Sequence, residues 1–304
     1  MIAIDLGSNS LRVVEIECDR EIFLGSFNTV VKTADKLHSS GVISQEAIER
    51  IITKLHRAKE QIDFRNKPVR AITTEAMRQA TNSKEALLAI EEATGISFEI
   101  ISSDEEAMLT LLAVQHRLQK LPLQAHNSFV LVDIGGASTE IIYHYPHKTL
   151  SRSFPIGIVT ISQEYKTLTQ IAKALPVVMK SMQEFTTEVT ALYGQPEAFV
   201  ATAGTPTTIA SMKLGQTFAT YNPTLINGTT LTSQELELYL QKLLSMPTEQ
   251  RELTVGTGRA DLITAGVLIF AQLYTITAFE KAVVIDDGLR EGVALEWCSR
   301  AKEC

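Results

Sequence analysis

Two short segments of this chain are rich in the groups that hold phosphate. Asp5-Leu6-Gly7-Ser8-Asn9-Ser10 and Asp133-Ile134-Gly135-Gly136-Ala137-Ser138-Thr139 each set an acid ahead of glycine and hydroxyl residues. The glycines let the backbone turn with its N–H groups outward, and the hydroxyls of Ser8, Ser10, Ser138 and Thr139 add donors. Such a nest takes phosphate oxygens, and the acid before it, Asp5 or Asp133, can hold a divalent cation. A third segment, Ala203-Gly204-Thr205-Pro206-Thr207-Thr208, reads as a strand end opening a helix. Pro206 suits the first helical turn, and the N–H groups there attract an anion. Taken alone, each segment is also what an ordinary turn or a well-capped βα junction looks like. Repetition gives them weight.

Residues 129–143 repeat residues 1–15 at a constant offset of 128. Asp5 meets Asp133, Gly7 meets Gly135, Ser10 meets Ser138, and Val13-Val14 meet Ile141-Ile142. Two phosphate loops in matched positions of a duplicated chain are expected to face each other across a cleft. Around them, strands are expected at 11–16, 22–29, 69–73 and 96–101. Ile48, Ile51, Ile52, Leu55, Ala58 and Ile62 recur at helical spacing within 44–64, with Ser44 as N-cap. Asn82 and Glu85 form a capping-box pattern for a helix that Gly95 closes, and 104–120 reads as another helix. The second half carries a strand at 149–154, a helix at 167–192 interrupted at Pro176, a strand at 198–203 and a helix at 205–214. A helix at 232–246, an apolar helix from Ala260, a strand at 281–285 and a last helix complete it. Alternating strands and helices predict a mixed sheet covered by helices. Residues 121–128 are polar and contain a proline, so the domains are set at 1–124 and 125–304, with the last helix free to pack back on the first.

Composition excludes several classes. The chain has 304 residues, 45% hydrophobic and 21% charged, which is globular composition and long enough for two domains. A net charge of -7 argues against non-specific nucleic-acid or anionic-membrane binding. Cys18, Cys298 and Cys304 are scattered, which suggests no disulfide framework and a reducing, cytoplasmic location; Cys298 reads as a packed thiol. Asp5 inside the first apolar run argues against a secretory signal. Residues 262–279 carry no charge, but threonines, Gly266 and Gln272 interrupt them, so a buried helix is expected instead of a membrane span.

The ordered set DLGSNS, TEAMRQATN, SSDEEA, VDIGGASTE, TAGTPTT, RADLITAG and DDGLREG resembles the exopolyphosphatase and guanosine pentaphosphate phosphohydrolase (Ppx/GppA) family. That family lies within the acetate kinase, sugar kinase, Hsp70 and actin superfamily. The resemblance runs from Met1 to about Gly292. It implies two duplicated ribonuclease H-like (actin-like ATPase) domains with an interdomain cleft, and Mg2+-dependent removal of a terminal phosphoryl group. By the resemblance, Ser8, Asn9, Ser10, Gly135, Gly136, Ala137, Ser138, Thr139, Gly204, Thr205 and Thr207 bind substrate phosphate. Arg78 reaches phosphate and Glu106 is the catalytic base. Asp5, Asp133 and Glu140 are metal-associated, the last two on neighbouring strands at opposite ends of one turn. Arg259, Asp261, Arg290 and Glu291 match family motifs without a role that the residues define. Polyphosphate or guanosine pentaphosphate is the implied partner, with no nucleic acid and no membrane; a homodimer stays open.

Two positions depart from the family pattern. Ala137 stands where a third glycine is common, and Met108 where a polar residue two positions after the base is common. By the resemblance, long members carry additional helical domains after the two-domain core, and none is expected within these 304 residues. A P-loop NTPase is excluded because no Walker lysine motif occurs. A kinase of the same superfamily and a non-catalytic phosphate or nucleotide sensor remain as rivals.

Overall fold

The computed structural model describes residues 1–122 and 127–303. The chain forms two compact units, Met1–Ala113 with Gly288–Cys304, and Val114–Asp287. The boundary expected at 124/125 lies outside the described residues.

In the first unit, β1 (Ile2–Leu6) is buried throughout, and β2 (Ser10–Glu17) and β3 (Ile22–Val30) form antiparallel hairpins beside it. A helical turn α1 (Leu37–Ser40) precedes α2 (Gln45–Gln61), which buries Ile48, Ile51, Leu55 and Ala58 on one face. Ser44 Oγ accepts the Ala47 N–H at 3.2 Å and so satisfies one of the helix's orphan donors. β4 (Val69–Thr73), α3 (Glu75–Gln79), α4 (Ser83–Thr94), β5 (Phe98–Ile100) and α5 (Ser103–Lys120) follow. The unit boundary falls inside α5. Asn82 does not cap α4 by its side chain, which corrects the capping-box expectation. Its amide accepts the Ile43 N–H at 2.8 Å and donates to the Ile43 carbonyl at 3.0 Å, satisfying both of its ends at once. The sheet order is β3-β2-β1-β4-β5, with β1, β4 and β5 parallel.

The second unit repeats this plan. β6 (Phe129–Ile134), β7 (Thr139–Tyr145) and β8 (Lys148–Phe154) form the same hairpins. Then come α6 (Ile158–Glu164), α7 (Leu168–Val178), which contains Pro176, and α8 (Lys180–Tyr193). β9 (Ala198–Thr202), α9 (Gly204–Lys213), α10 (Pro223–Ile226) and β10 (Thr229–Thr232) follow. The unit closes with α11 (Ser233–Ser245), α12 (Thr248–Val255), α13 (Ile263–Thr277) and β11 (Lys281–Val284). Read from β8, the sheet runs β8-β7-β6-β9-β11, strand for strand the first sheet's order, with β10 added antiparallel at the end. The sequence repeat is thus a structural duplication of one mixed α/β plan.

The uncharged segment forms α13, whose Phe270 and Tyr274 pack edge-on against Phe199 of β9. Among the described residues no helix is long and apolar enough to cross a membrane. The last helix, α14 (Leu289–Glu303), belongs to the first unit, where Val293, Ala294, Leu295 and Cys298 are buried with Met1, Ala3, Val14 and Ile16. Burying Val293 and Leu295 stabilises by about 1.5–3 kcal/mol each. This packing brings Cys298 to Cys18 beyond the end of β2, Cα atoms 5.0 Å apart, in a disulfide. The expectation of unpaired cysteines is therefore corrected. A separation of 280 residues hid the pair from any spacing pattern.

Candidate active site

Sheet topology decides what the first unit can assemble. Leu6, Thr73 and Ile100 are in register at the carboxyl ends of the parallel strands β1, β4 and β5. Three chain segments leave the sheet there: the Gly7–Asn9 turn, the start of α3, and the lead-in to α5. Open α/β sheets bind ligands at this end. Thr73 Oγ1 donates to the Leu6 carbonyl at 2.7 Å and the Ile101 N–H to the Thr73 carbonyl at 3.1 Å, which ties the three together.

The turn itself is closed by the Gly7 N–H donating to the Ser10 carbonyl at 2.9 Å. The Asn9 carbonyl accepts from Val31 and Lys32, and the Ser8 carbonyl from Ala34. With the carbonyls spent on the following segment, the Ser8 and Asn9 N–H groups donate to no described residue. The Asn9 side-chain oxygen is buried and also makes no hydrogen bond to a described residue. Asp5 is buried below the turn, opposite Arg12 across the hairpin.

Arg78 and Glu106 meet directly. α3 presents Arg78, and Glu106 is buried in the first turn of α5 with its side chain 11% exposed. Arg78 Nη2 donates to Glu106 Oε2 at 2.8 Å, Nη1 to the Ile101 carbonyl at 2.7 Å, and Nε and Nη2 to Glu75 at 3.0 and 2.9 Å. One N–H on Nη1 is accepted by no described residue and is the one Arg78 can offer a phosphate. Burial opposes the Arg78 charge, but Glu106 and then Glu75 outweigh it and hold its pKa above the ordinary arginine value. Met108 is 52% exposed on the same helix.

The second unit rebuilds the turn. The Gly135 N–H donates to the Ser138 carbonyl at 2.9 Å, the same bond at the matched position. The Gly135 and Gly136 carbonyls accept from Ile158 and Val159 at the start of α6, and the Gly136 and Ala137 N–H groups donate to no described residue. Gly157 makes this contact possible, since a Cβ there would stand 2.4 Å from the Gly136 carbonyl. Gly157 is a site-shaping residue that sequence reasoning missed, because nothing local marks a close approach. The Ala137 methyl is buried, so it is tucked into the protein rather than into open space. Ser138 is buried, and Thr139 Oγ1 donates to the Ile156 carbonyl at 2.6 Å, so its proton is spent within the fold.

Asp133 and Glu140 stand directly opposite each other in the β6–β7 ladder, and Glu140 Oε1 accepts from Ser153 Oγ at 2.7 Å. The matched pair in the first unit is Asp5 and Arg12, so only the second copy offers two acids. Among the described residues no three His, Cys, Asp or Glu side chains gather as a metal cage. Two carboxylates suit Mg2+, which is bound through one or two of them together with water and phosphate oxygens. These residues fit that ion.

β9 ends beside β6 with Thr202 opposite Asp133. Ala203 then takes φ 72°, a left-handed conformation that a residue with a Cβ adopts at a cost, and α9 starts at Gly204. Thr205 Oγ1 is buried without a hydrogen-bond partner among the described residues, whereas Thr207 Oγ1 turns back to the Ala203 carbonyl at 2.8 Å. Arg259 and Asp261 lie in the turn before α13. Glu291 pairs with Arg290 and accepts the Gly288 N–H at 2.9 Å, fastening the start of α14.

A profile of the Ppx/GppA phosphatase family matches residues 22–301. Exopolyphosphatase 2 of Mycobacterium tuberculosis is 26% identical over 96% of this chain and 97% of its own. The crystal structure of the Aquifex aeolicus Ppx/GppA family member superimposes with a TM-score of 0.73 at 28% identity, covering 99% of this chain and 97% of that one. An exopolyphosphatase from Cytophaga hutchinsonii, 19% identical, shares the fold with a TM-score of 0.82 over 98% and 97% of the two chains. The likeness makes this protein an enzyme, a hydrolase of phosphoanhydrides. The chain belongs to the Ppx/GppA phosphatase family.

Proposed function

We propose that this enzyme hydrolyses the terminal phosphate of inorganic polyphosphate. The observation that carries the reading is the buried Glu106–Arg78 pair, 2.8 Å apart, at the strand ends where the Ser8–Asn9 turn leaves its N–H groups unspent. Glu106 takes a proton from water as the water oxygen attacks the terminal phosphorus. The P–O–P bond breaks and its bridging oxygen leaves with the shortened chain. The N–H groups of Ser8 and Asn9 and the remaining N–H of Arg78 hold the charge on the transferring group in place, which is most of what phosphoryl transfer asks of a protein. In the second unit Asp133 and Glu140 are the residues that would hold Mg2+, and in the first unit the acid available for it is Asp5; the ion, when bound, would neutralise phosphate charge. The same groups suit the 5'-terminal phosphate of guanosine pentaphosphate, which is the alternative substrate. We place the enzyme in the cytoplasm, where the Cys18–Cys298 pair would be held reduced.

The test is phosphate release by purified protein from polyphosphate, guanosine pentaphosphate and ATP, with and without Mg2+. Mg2+-dependent release from polyphosphate supports the proposal, and faster release from guanosine pentaphosphate selects the alternative. Binding without release assigns a sensor, the reading that Met108 favours by removing a polar group near the base.

A further inference from the structure

Glu75 lies in the site but belongs to neither the loops nor the base. It opens α3, three residues before Arg78, the spacing at which helical side chains meet. Its Oε2 accepts both Arg78 Nε–H and an Arg78 Nη2–H, at 3.0 and 2.9 Å, while Gln79 Nε2 donates to its Oε1 at 2.6 Å. The Glu75 and Arg78 side chains are 16% and 18% exposed, so water competes little for this contact.

We propose that Glu75 is a positioning residue that clamps Arg78 and thereby sets the geometry of Glu106. A guanidinium is a planar fork whose N–H groups point in fixed directions, so an acceptor that takes both Nε–H and Nη2–H fixes its plane. Glu75 is that acceptor. Glu106 meets the guanidinium through the other hydrogen on Nη2, so the direction of that bond follows the plane that Glu75 sets. The Ile101 carbonyl holds one Nη1–H, so the plane of the fork is fixed on both sides and the other Nη1–H keeps a set direction. This role rests on the reading of Glu106 as base.

The full-length protein is compared with Glu75→Ala, Glu75→Gln, Arg78→Ala and the Glu75→Ala/Arg78→Ala double variant, each checked for folding by thermal melting. Two readouts are taken: kcat and KM on polyphosphate with Mg2+, and the Arg78 Nε–H signal in 15N NMR without substrate, assigned by its loss in Arg78→Ala. Glu75→Ala is expected to lower kcat about tenfold, as a misplaced catalytic group does, with KM changed less than twofold. Glu75→Gln, which keeps an oxygen acceptor, recovers most of that loss, and in the Arg78→Ala background Glu75→Ala adds nothing. The Nε–H signal is sharp in the parent and in Glu75→Gln and broadens in Glu75→Ala. An Nε–H signal indifferent to Glu75, or equal kcat losses in both backgrounds, overturns the proposal. If Glu106→Gln keeps its turnover, the assignment of the base fails, and the NMR signal still decides whether Glu75 clamps Arg78.

Discussion

Gly292 of α14 is seated against the backbone of Leu109 in α5, so tightly that a Cβ would stand 1.9 Å from the Leu109 oxygen and 2.5 Å from its carbonyl carbon. Leu109 lies three residues past Glu106, so the last helix is the seat of the helix that carries the base. Gly292→Ala is expected to force the helices apart, costing about 1–3 kcal/mol in stability and lowering kcat with it. Thermal unfolding measured beside turnover checks this, and an unmoved midpoint with full activity would show that the contact is not needed.

Glu106→Gln removes the proton acceptor while keeping the side chain's shape. Turnover is expected to fall 10²–10⁴-fold, about 3–5 kcal/mol of barrier, with substrate affinity near the parent's. Steady-state rates with equilibrium binding read this, and a variant with half the parental turnover would exclude Glu106 as base.

Asp133→Asn and Glu140→Gln each remove one anionic oxygen from the cross-strand pair. Both are expected to raise the Mg2+ concentration for half-maximal activity, because a hard cation loses an anionic ligand. Overlaid Mg2+ titrations of parent and variants would move the ion elsewhere.

The Cys18–Cys298 disulfide fastens α14 over a separation of 280 residues. Removing a native disulfide typically costs about 2–4 kcal/mol, so Cys298→Ser or full reduction should lower the urea midpoint accordingly. Alkylation and mass spectrometry of protein taken directly from cells reads the compartment as well. Free thiols match a reducing cytoplasm, and a closed pair points to an oxidising one.

Burial pushes the Tyr143 hydroxyl up to about 12, and burial raises that of Tyr274 further. Unfolded tyrosines ionise near 10, so the folded chain keeps both neutral where the unfolded chain charges them. Their stabilisation is complete below pH 10 and is lost as pH rises to 12 and beyond. Urea midpoints should fall across that window, and less steeply for Tyr143→Phe.

Features carried by neighbours in sequence were legible without a structure. The Gly7 and Gly135 turns, their flanking strands, the Ser44 cap and the apolar α13 follow from short-range patterns, and the offset of 128 exposed the duplication that both sheets then display. α3 was not legible, because five residues are too few for a helical period to register, and Arg78 rides on it. Asn82 reads as a cap from its spacing to Glu85, yet it found a better-satisfied partner 39 residues away at Ile43.

By itself the sequence determined the loops, the order of elements and the acids available, since backbone turns and amphipathic faces depend on residues within a few positions of each other. Only the tertiary structure decided which groups meet. The parallel pairing of β1, β4 and β5 brings the Ser8 turn, Arg78 and Glu106 to one end of the sheet, and the β6–β7 register sets Glu140 opposite Asp133. The seating of α14 joins Cys298 to Cys18. Such contacts arise when buried surfaces are satisfied together across long loops, and the free energy that selects them belongs to the packed whole, not to any one segment.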